Sequence, residues 1–328
     1  MKKIAPFVAP AILLGIIFIG SFIILYIAGT PAQRTPPRIA AVLKTIDSNM
    51  EFWEVVKSGM QTAATEFSAR LEIYGPWMES DVEGQKAIMD TVIRDRPTVI
   101  VLSATDYTAL IPYVERAAAA GIPVITLDSG IDSAIPVSFV ATNSVEAAEK
   151  LGHHLPSLLE AGRSVAIINH VPGATTAIER EAGVRKALEK DGRYPILGTW
   201  FTNNFLENAY AITIDLTQRY PELGAILAMN EVSTVGAAQA LVDAGLAGRV
   251  KLLGFDSSLE EIKFIERGVL DATVIQKPFA MGYLAVRAAL NAINKIPQAR
   301  FIDTGSVLIT ADNLYLPENQ KLLFPFAE

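Results

Sequence analysis

From Arg38 onward, short runs of β-branched and other apolar residues alternate with longer amphipathic stretches, and this alternation leaves few folds open. Strands are predicted over residues 39–43, 71–74, 98–102, 124–127, 137–141, 165–168, 197–201, 225–228, 251–255 and 272–275. Helices are predicted between them, over 51–70, 81–94, 107–120, 145–159, 176–190, 206–220, 234–244, 259–267 and 281–294. Gly121, Gly162, Gly245 and Gly268 follow helical stretches, where a left-handed residue is favoured. Repeated strand–helix–strand units make parallel sheets with helices on both faces, joined by right-handed crossovers. So many strands are too many for one open sheet, and "GIPVITLD" and "GRVKLLGFD" end comparable series. The prediction is an α/β chain of two doubly wound lobes. Its 328 residues, 51% of them hydrophobic, supply ample core.

The first 37 residues follow another pattern. Lys2 and Lys3 precede an uncharged apolar run over residues 4–28, and the polar, proline-rich "GTPAQRTPPR" comes next. Basic residues before an apolar run mark a secretory start, and this run approaches the length that spans hydrocarbon as a helix. Residues 1–30 are expected to be a signal anchor or signal peptide, with the uncleaved anchor favoured because "TPA" is a poor cleavage site. Residues 31–37 then form a stiff tether. Everything beyond is expected to be extracytoplasmic, held to the membrane through residues 4–28.

Composition removes several chemistries. There is no cysteine, which excludes disulfides, thiolate nucleophiles, thiolate metal sites and the lipid-attachment cysteine of a lipoprotein. The three histidines supply a metal site poorly, and the adjacent His153 and His154 read as solvated helix positions. No cofactor is expected. With a net charge of −7 and scattered Lys and Arg, nucleic acid is not an expected partner. No G-x-G-x-x-G follows a strand, and neither a P-loop nor a G-x-S-x-G elbow is present.

In doubly wound sheets the ligand crevice lies outside the carboxyl ends of the strands, so the residues there are the candidates. The first half supplies Lys44, Asp47, Asn49, Phe52 and Trp53, then Trp77, then Ser103 and Asp106, then Asp128. The second half supplies "NHVPGATT" and Arg180, Asn203 and Asn204, Asn230, Asp256 and finally Gln276. Ser103, Asp106, Ser257 and Ser258 read equally well as helix caps, and Asn49 as a turn residue. Asp128 and Asp256 end apolar strands in matching contexts, which favours a role beyond capping. Phe52 and Trp53 are adjacent, so one is expected to face the core and the other a cleft. Planar hydrogen-bonding groups of both charges, flanked by aromatic rings, suit vicinal hydroxyls and the apolar C–H face of a sugar.

The stretches "IAAVLKTIDSNMEFWEVVKSGM", "GIPVITLDSG", "PGATTAIEREAGV", "AILAMNEVSTVGAAQAL", "VKLLGFDSS" and "DATVIQKPFAMGY" together resemble the extracytoplasmic sugar-binding proteins of the ribose/galactose type that serve ABC importers. The resemblance runs from about Arg38 to the C-terminus. It implies a type 1 periplasmic binding protein fold, two lobes joined by a three-strand hinge. Lobe one would be 38–141 plus 278–302, and lobe two 142–277 plus 303–328. It implies ligand contacts from Lys44, Phe52, Trp53, Ser103 and Asp128 in the first lobe, and from Arg180, Asn230, Asp256 and Gln276 in the second. The family's ribose binders carry Arg after the aspartate of "LD", whereas Ser129 stands here, and this chain is longer between Lys44 and Phe52. The ligand is therefore open among monosaccharides, sugar derivatives and polyols.

The implied partners are that small molecule, an ABC permease and, through the N-terminal helix, the membrane; the chain itself is expected to be a monomer. The alternative is an exported sensor that docks on a membrane histidine kinase or chemoreceptor. No enzymatic activity is expected, and a repressor is excluded because an apolar segment stands where a DNA-binding head would be.

Overall fold

The computed structural model describes residues 35–324. The apolar run at 4–28 and the expectation of a membrane anchor lie outside the described residues. Among the described residues, no helix is long and apolar enough to cross a membrane.

The first sheet contains β1 (Arg38–Val42), β2 (Arg70–Tyr74), β3 (Val99–Leu102), β4 (Val124–Leu127), β5 (Ser138–Ala141) and β11 (Phe301–Asp303). The second contains β6 (Ser164–Asn169), β7 (Ile196–Phe201), β8 (Leu223–Ala228), β9 (Lys251–Phe255), β10 (Ala272–Ile275) and β12 (Val307–Ile309). Their spatial orders are β11-β5-β4-β3-β1-β2 and β12-β10-β9-β8-β6-β7. Every pairing is parallel except that of β10 with β12. Each sheet reverses its order beside its first strand, so each has a switch point there.

Among the described residues, nine helices connect these strands and a tenth follows the last of them: α1 (Glu51–Glu66), α2 (Val82–Asp95), α3 (Ile111–Ala119), α4 (Ser144–His154), α5 (Thr175–Asp191), α6 (Leu206–Arg219), α7 (Glu231–Asp243), α8 (Leu259–Glu266), α9 (Pro278–Ile293) and α10 (Pro317–Leu323). Both faces of the central strands are covered, which explains why β1, β3, β4, β6 and β8 are largely apolar rather than alternating, whereas the edge strand β2 alternates. In the first lobe, Ile39, Ala41, Val99 and Val101 pack toward α1 and α9, while Ala40, Val42, Ile100 and Leu102 pack with Met89 and Val114 of α2 and α3. In the second, Ile168 and Ile226 face Leu216, Ala237 and Ile262 of α6, α7 and α8, while Ile167 and Leu227 face Leu151 and Val184 of α4 and α5.

The chain crosses between the sheets after β5, again on leaving β10, and a third time between β11 and β12. The second passage returns α9 to the first lobe, where it docks on α1. A Cβ on Gly59 would stand 2.1 Å from the Phe279 carbonyl oxygen, and one on Gly282 the same distance from that of Val56. That close approach seats α1, which carries Phe52 and Trp53.

The structure departs from the sequence-based bounds at identifiable places. The helix predicted over 107–120 starts at Ile111, because Asp106 accepts from the Thr108 and Ala109 amides and turns the chain first. The one predicted over 145–159 stops at His154, and Pro156 continues it only as a single 3₁₀ turn. β11, β12 and α10 were not predicted; the strands have three residues each, too few to show a period. The four helix-end glycines all have positive φ, from +65° to +88°.

Candidate functional site

The carboxyl ends of the two sheets face each other across one small cavity of about 30 Å³. Lys44, Met50, Phe52, Trp53, Glu79 and Asp128 line it from the first lobe. His170, Thr176, Arg180, Asn230, Glu231, Asp256 and Gln276 line it from the second. A larger open groove of about 450 Å³ lies at the amino ends of the second sheet, against Arg163, Leu223 and Lys251. Ligands of parallel α/β sheets sit at the other end, so the smaller cavity carries the chemistry.

Asp128 and Asp256 occupy equivalent positions. Each directly follows a strand, and each donates its backbone N–H to the neighbouring strand, Asp128 to Val140 at 2.9 Å and Asp256 to Val274 at 2.8 Å. Both then adopt left-handed backbone, with φ of +58° and +79°. That conformation costs a non-glycine residue on the order of 1–3 kcal/mol, and Asp tolerates it better than most. It turns the chain off the strand axis and leaves each carboxylate at the sheet end.

Each carboxylate has a buried cation. Lys44 Nζ lies 2.9 Å from Asp128 Oδ2, and both side chains are only 4% exposed. Ser103 donates to the same oxygen at 3.4 Å. Opposite, Arg180 Nη1 donates to the Met229 carbonyl at 2.6 Å and reaches Asp256 Oδ2 at 3.5 Å, while Gln276 Nε2 donates to Asp256 Oδ1 at 2.5 Å. The Arg180 guanidinium lies 3.8 Å from the centre of the Phe255 ring. Stacking and hydrogen bonding together keep this cation buried without leaving it uncompensated. Asn230 accepts from the Ser233 amide as the cap of α7 and donates to Asn204 Oδ1 at 2.7 Å.

Several contacts cross the cleft. Lys44 Nζ donates to Thr176 Oγ1 at 3.2 Å, Thr175 Oγ1 to the Gly130 carbonyl at 2.9 Å, and the Tyr107 amide to the Gly173 carbonyl at 2.7 Å. The lobes meet most tightly at Gly173, where a Cβ would stand 2.0 Å from Asp106 Oδ2.

Burial, and then the carboxylate of Asp256, push the Glu231 carboxyl up to about 8. Burial likewise raises Glu79, opposed by Lys44 and by the Trp53 Nε1–H, which donates to Glu79 Oε1 at 2.6 Å. Behind the wall, Glu261 is held well above the usual carboxylate range by burial and by Glu231. Burial, with the nearby Arg180 and Lys44 cations, holds His170 well below its ordinary value and therefore neutral. The site thus combines two ion pairs with a neutral His170 imidazole and with carboxyls whose charged forms burial disfavours.

Eight of the nine residues expected to contact the ligand line this cavity; Ser103 does not and stands behind Asp128, and Asp47, Asn49, Trp77, Asp106, Asn203 and Asn204 lie outside it. The expected division of Phe52 and Trp53 between core and cleft does not hold. Both line the cavity, their rings edge to face at 5.1 Å, although Trp53 is also core, being 1% exposed. Trp77 points away and is 63% exposed. Ser258 caps α8, as its capping alternative has it. Sequence reasoning gave no role to Met50, Glu79 or Glu231, and it reached His170 and Thr176 only as members of the stretch "NHVPGATT". His170 directly follows β6 and Glu231 lies three residues beyond β8, so the strand-end rule itself reaches them. Glu79 lies five residues beyond β2, where the rule no longer points. Among the described residues, no group of three His, Asp or Glu side chains is placed to hold a metal ion.

Residues 39–296 match the family described as "Periplasmic binding protein domain". The chain is 30% identical over 275 residues to the D-ribose/D-allose-binding protein of Pseudomonas aeruginosa, covering 81% of this chain and 84% of that one. It is 26% identical over 241 residues to the ribose import binding protein RbsB of Bacillus subtilis, covering 74% and 77% respectively. Among solved structures, a carbohydrate transporter solute-binding protein from Agrobacterium radiobacter in complex with D-arabinose superposes with a TM-score of 0.84 at 26% identity, over 89% of this chain and all of that one. The relatives are solute-binding proteins, not enzymes.

Proposed function

Because the chain belongs to the periplasmic binding protein domain family, we propose that it captures a monosaccharide-like ligand in the interlobe cavity and delivers it to an ABC permease. The observation that carries this reading is the convergence of Asp128 with Lys44 and Asp256 with Arg180 from opposite sheets, beside the Phe52 and Trp53 rings. Vicinal hydroxyls both donate and accept, so they satisfy the carboxylates and cations at once, while the rings cover the C–H face. The sugar-binding and import roles in the relatives' names support the ligand class and favour transport over sensing.

In this reading Lys44, Phe52, Trp53, Asp128, Arg180, Asn230, Asp256 and Gln276 contact the ligand, and Ser103 orients Asp128. The cavity of about 30 Å³ holds roughly two water molecules. A sugar therefore enters with the lobes apart, and the Lys44–Thr176 contact across the cleft re-forms as they close. The moving bodies are 38–141 with 278–302 and 142–277 with 303–328, and the three chain crossings serve as hinge. Closure around the ligand then gives the permease one shape to recognise, a population shift rather than a chemical step. The chain works outside the cytoplasm as a monomer, tethered by residues 4–28.

The test is a thermal-shift and calorimetric screen of the full chain in detergent against pentoses, hexoses, deoxysugars and polyols. A ligand at a hundred times its Kd adds about 2.7 kcal/mol of stability by mass action. At least one compound is expected to raise the melting temperature in a saturable way and to reduce the radius of gyration. If no sugar or polyol does either, the assignment fails.

A further inference from the structure

His170 lines the cavity but belongs to neither ion pair. His170 is the first residue after β6, at the switch point of the second sheet, and is 3% exposed. Its backbone N–H donates to Asn169 Oδ1 at 3.0 Å, which fixes the main chain there. Its Nε2 lies 3.0 Å from Thr176 Oγ1, and Thr176 Oγ1 in turn accepts from Lys44 Nζ at 3.2 Å. Its Nδ1 is buried and has no hydrogen-bond partner.

We propose that His170 is a specificity-determining ligand donor, held by a Lys44–Thr176–His170 relay across the cleft so that Nδ1–H is presented to the cavity. This rests on the sugar-binding reading above and deepens it. The tautomer follows from counting partners. The Lys44 ammonium only donates, so the Thr176 hydroxyl accepts from it and keeps its own proton to give. If that proton goes to His170 Nε2, the hydroxyl is satisfied in both roles and the imidazole proton sits on Nδ1. If Nε2 carried the proton, the Thr176 hydrogen and the Nδ1 lone pair would both lack partners. The first arrangement leaves one unmatched buried atom and the second leaves two, and buried polar groups are rarely unmatched.

The one remaining atom belongs to a ring that forms part of the cavity wall. The neutral imidazole agrees with this, since it holds a single proton to place. A group that only donates at that point meets an acceptor, a hydroxyl or ring oxygen of the ligand. It rejects epimers that put a C–H there, whereas Asp128 and Asp256 serve hydroxyls of either neighbouring geometry. Lys44 thereby acts twice, as the partner of Asp128 and as the group that polarises the relay from the other lobe.

The experiment pairs two near-isosteres in the full chain. Asn places its amide nitrogen near the position of Nδ1, and Gln places its own near Nε2. With a sugar that binds wild type, His170→Asn is expected to keep affinity within about threefold, and His170→Gln to lose about tenfold to a hundredfold. Imidazole ¹⁵N NMR of wild type is expected to show Nδ1 protonated, and Thr176→Val to lose that preference. Equal affinity of wild type and His170→Gln, equal losses in both variants, or a proton on Nε2 would each overturn the proposal while leaving sugar binding intact. Failure of wild type itself to bind any sugar or polyol overturns the underlying reading and this proposal with it.

Discussion

Replacing Asp128 by Asn removes one charge from the most deeply buried ion pair at the site and changes little else. The side chains are nearly isosteric, Asn tolerates a φ of +58° as readily as Asp, and its amide oxygen still accepts from Ser103. What is lost is the attraction to Lys44. At 2.9 Å and an effective dielectric of about 20, that attraction is about 6 kcal/mol before desolvation is counted. Breaking a buried pair while leaving one charge inside typically costs about 3–5 kcal/mol. The lower figure applies here, because the amide oxygen of Asn still accepts from the ammonium. For a chain of this size 1 kcal/mol moves the melting temperature by about 2 °C, so a fall of about 6 °C is expected by circular dichroism. Removing both charges in Lys44→Met with Asp128→Asn is expected to recover most of that loss, since a paired and a wholly apolar arrangement differ little. A single variant within about 1 kcal/mol of wild type, or a double variant less stable than Asp128→Asn alone, would refute the reasoning that Lys44 is trapped without a second anion.

Arg180→Lys keeps the charge but not the flat stack on Phe255 at 3.8 Å or the Nη1 that reaches both Met229 and Asp256. Calorimetry should show at least about tenfold weaker sugar binding. Glu231 is pushed up from its ordinary range to about 8, so between about 4.5 and 8 the folded state holds a proton that the unfolded state has released. Stability from this group is therefore full below the unfolded value and falls as pH rises toward 8. Glu231→Gln should flatten that part of the denaturation-versus-pH curve, and an unchanged slope would count against the assignment. Gly173→Ala places a methyl 2.0 Å from Asp106 Oδ2 and should hold the lobes apart. Small-angle scattering should then show a larger radius of gyration, and Asp106→Ala in the same chain should reverse it.

How much of this was legible in the sequence depended on the range of each signal. β1, β3, β4, β6 and β8 are buried on both faces and almost wholly apolar, and that local pattern was enough to expect doubly wound lobes. Asp128 and Asp256 were legible for the same reason, since a carboxylate that ends a buried strand stands out against its neighbours. Asn230 was ambiguous and proves to be both a cap and a site residue, because one amide can serve the helix with its oxygen and the cleft with its nitrogen. Phe52 and Trp53 were expected to divide between core and cleft, yet both line the cavity, because adjacency on a helix separates Cβ directions but says nothing of how far an indole reaches.

By itself, then, the sequence determined the order of strands and helices and which segments lie at carboxyl ends, because those are properties of near neighbours in the chain. Only the tertiary structure decided what those ends face. The Lys44 ammonium meets Asp128, 84 positions later, and then Thr176, 132 positions later; Trp53 finds Glu79. These partners are brought together by the return of α9 to the first lobe and by the meeting of two sheets, and nothing local encodes that meeting. The charge balance of the cavity, and the neutral state of His170 and Glu231 within it, arise from the burial that the meeting creates.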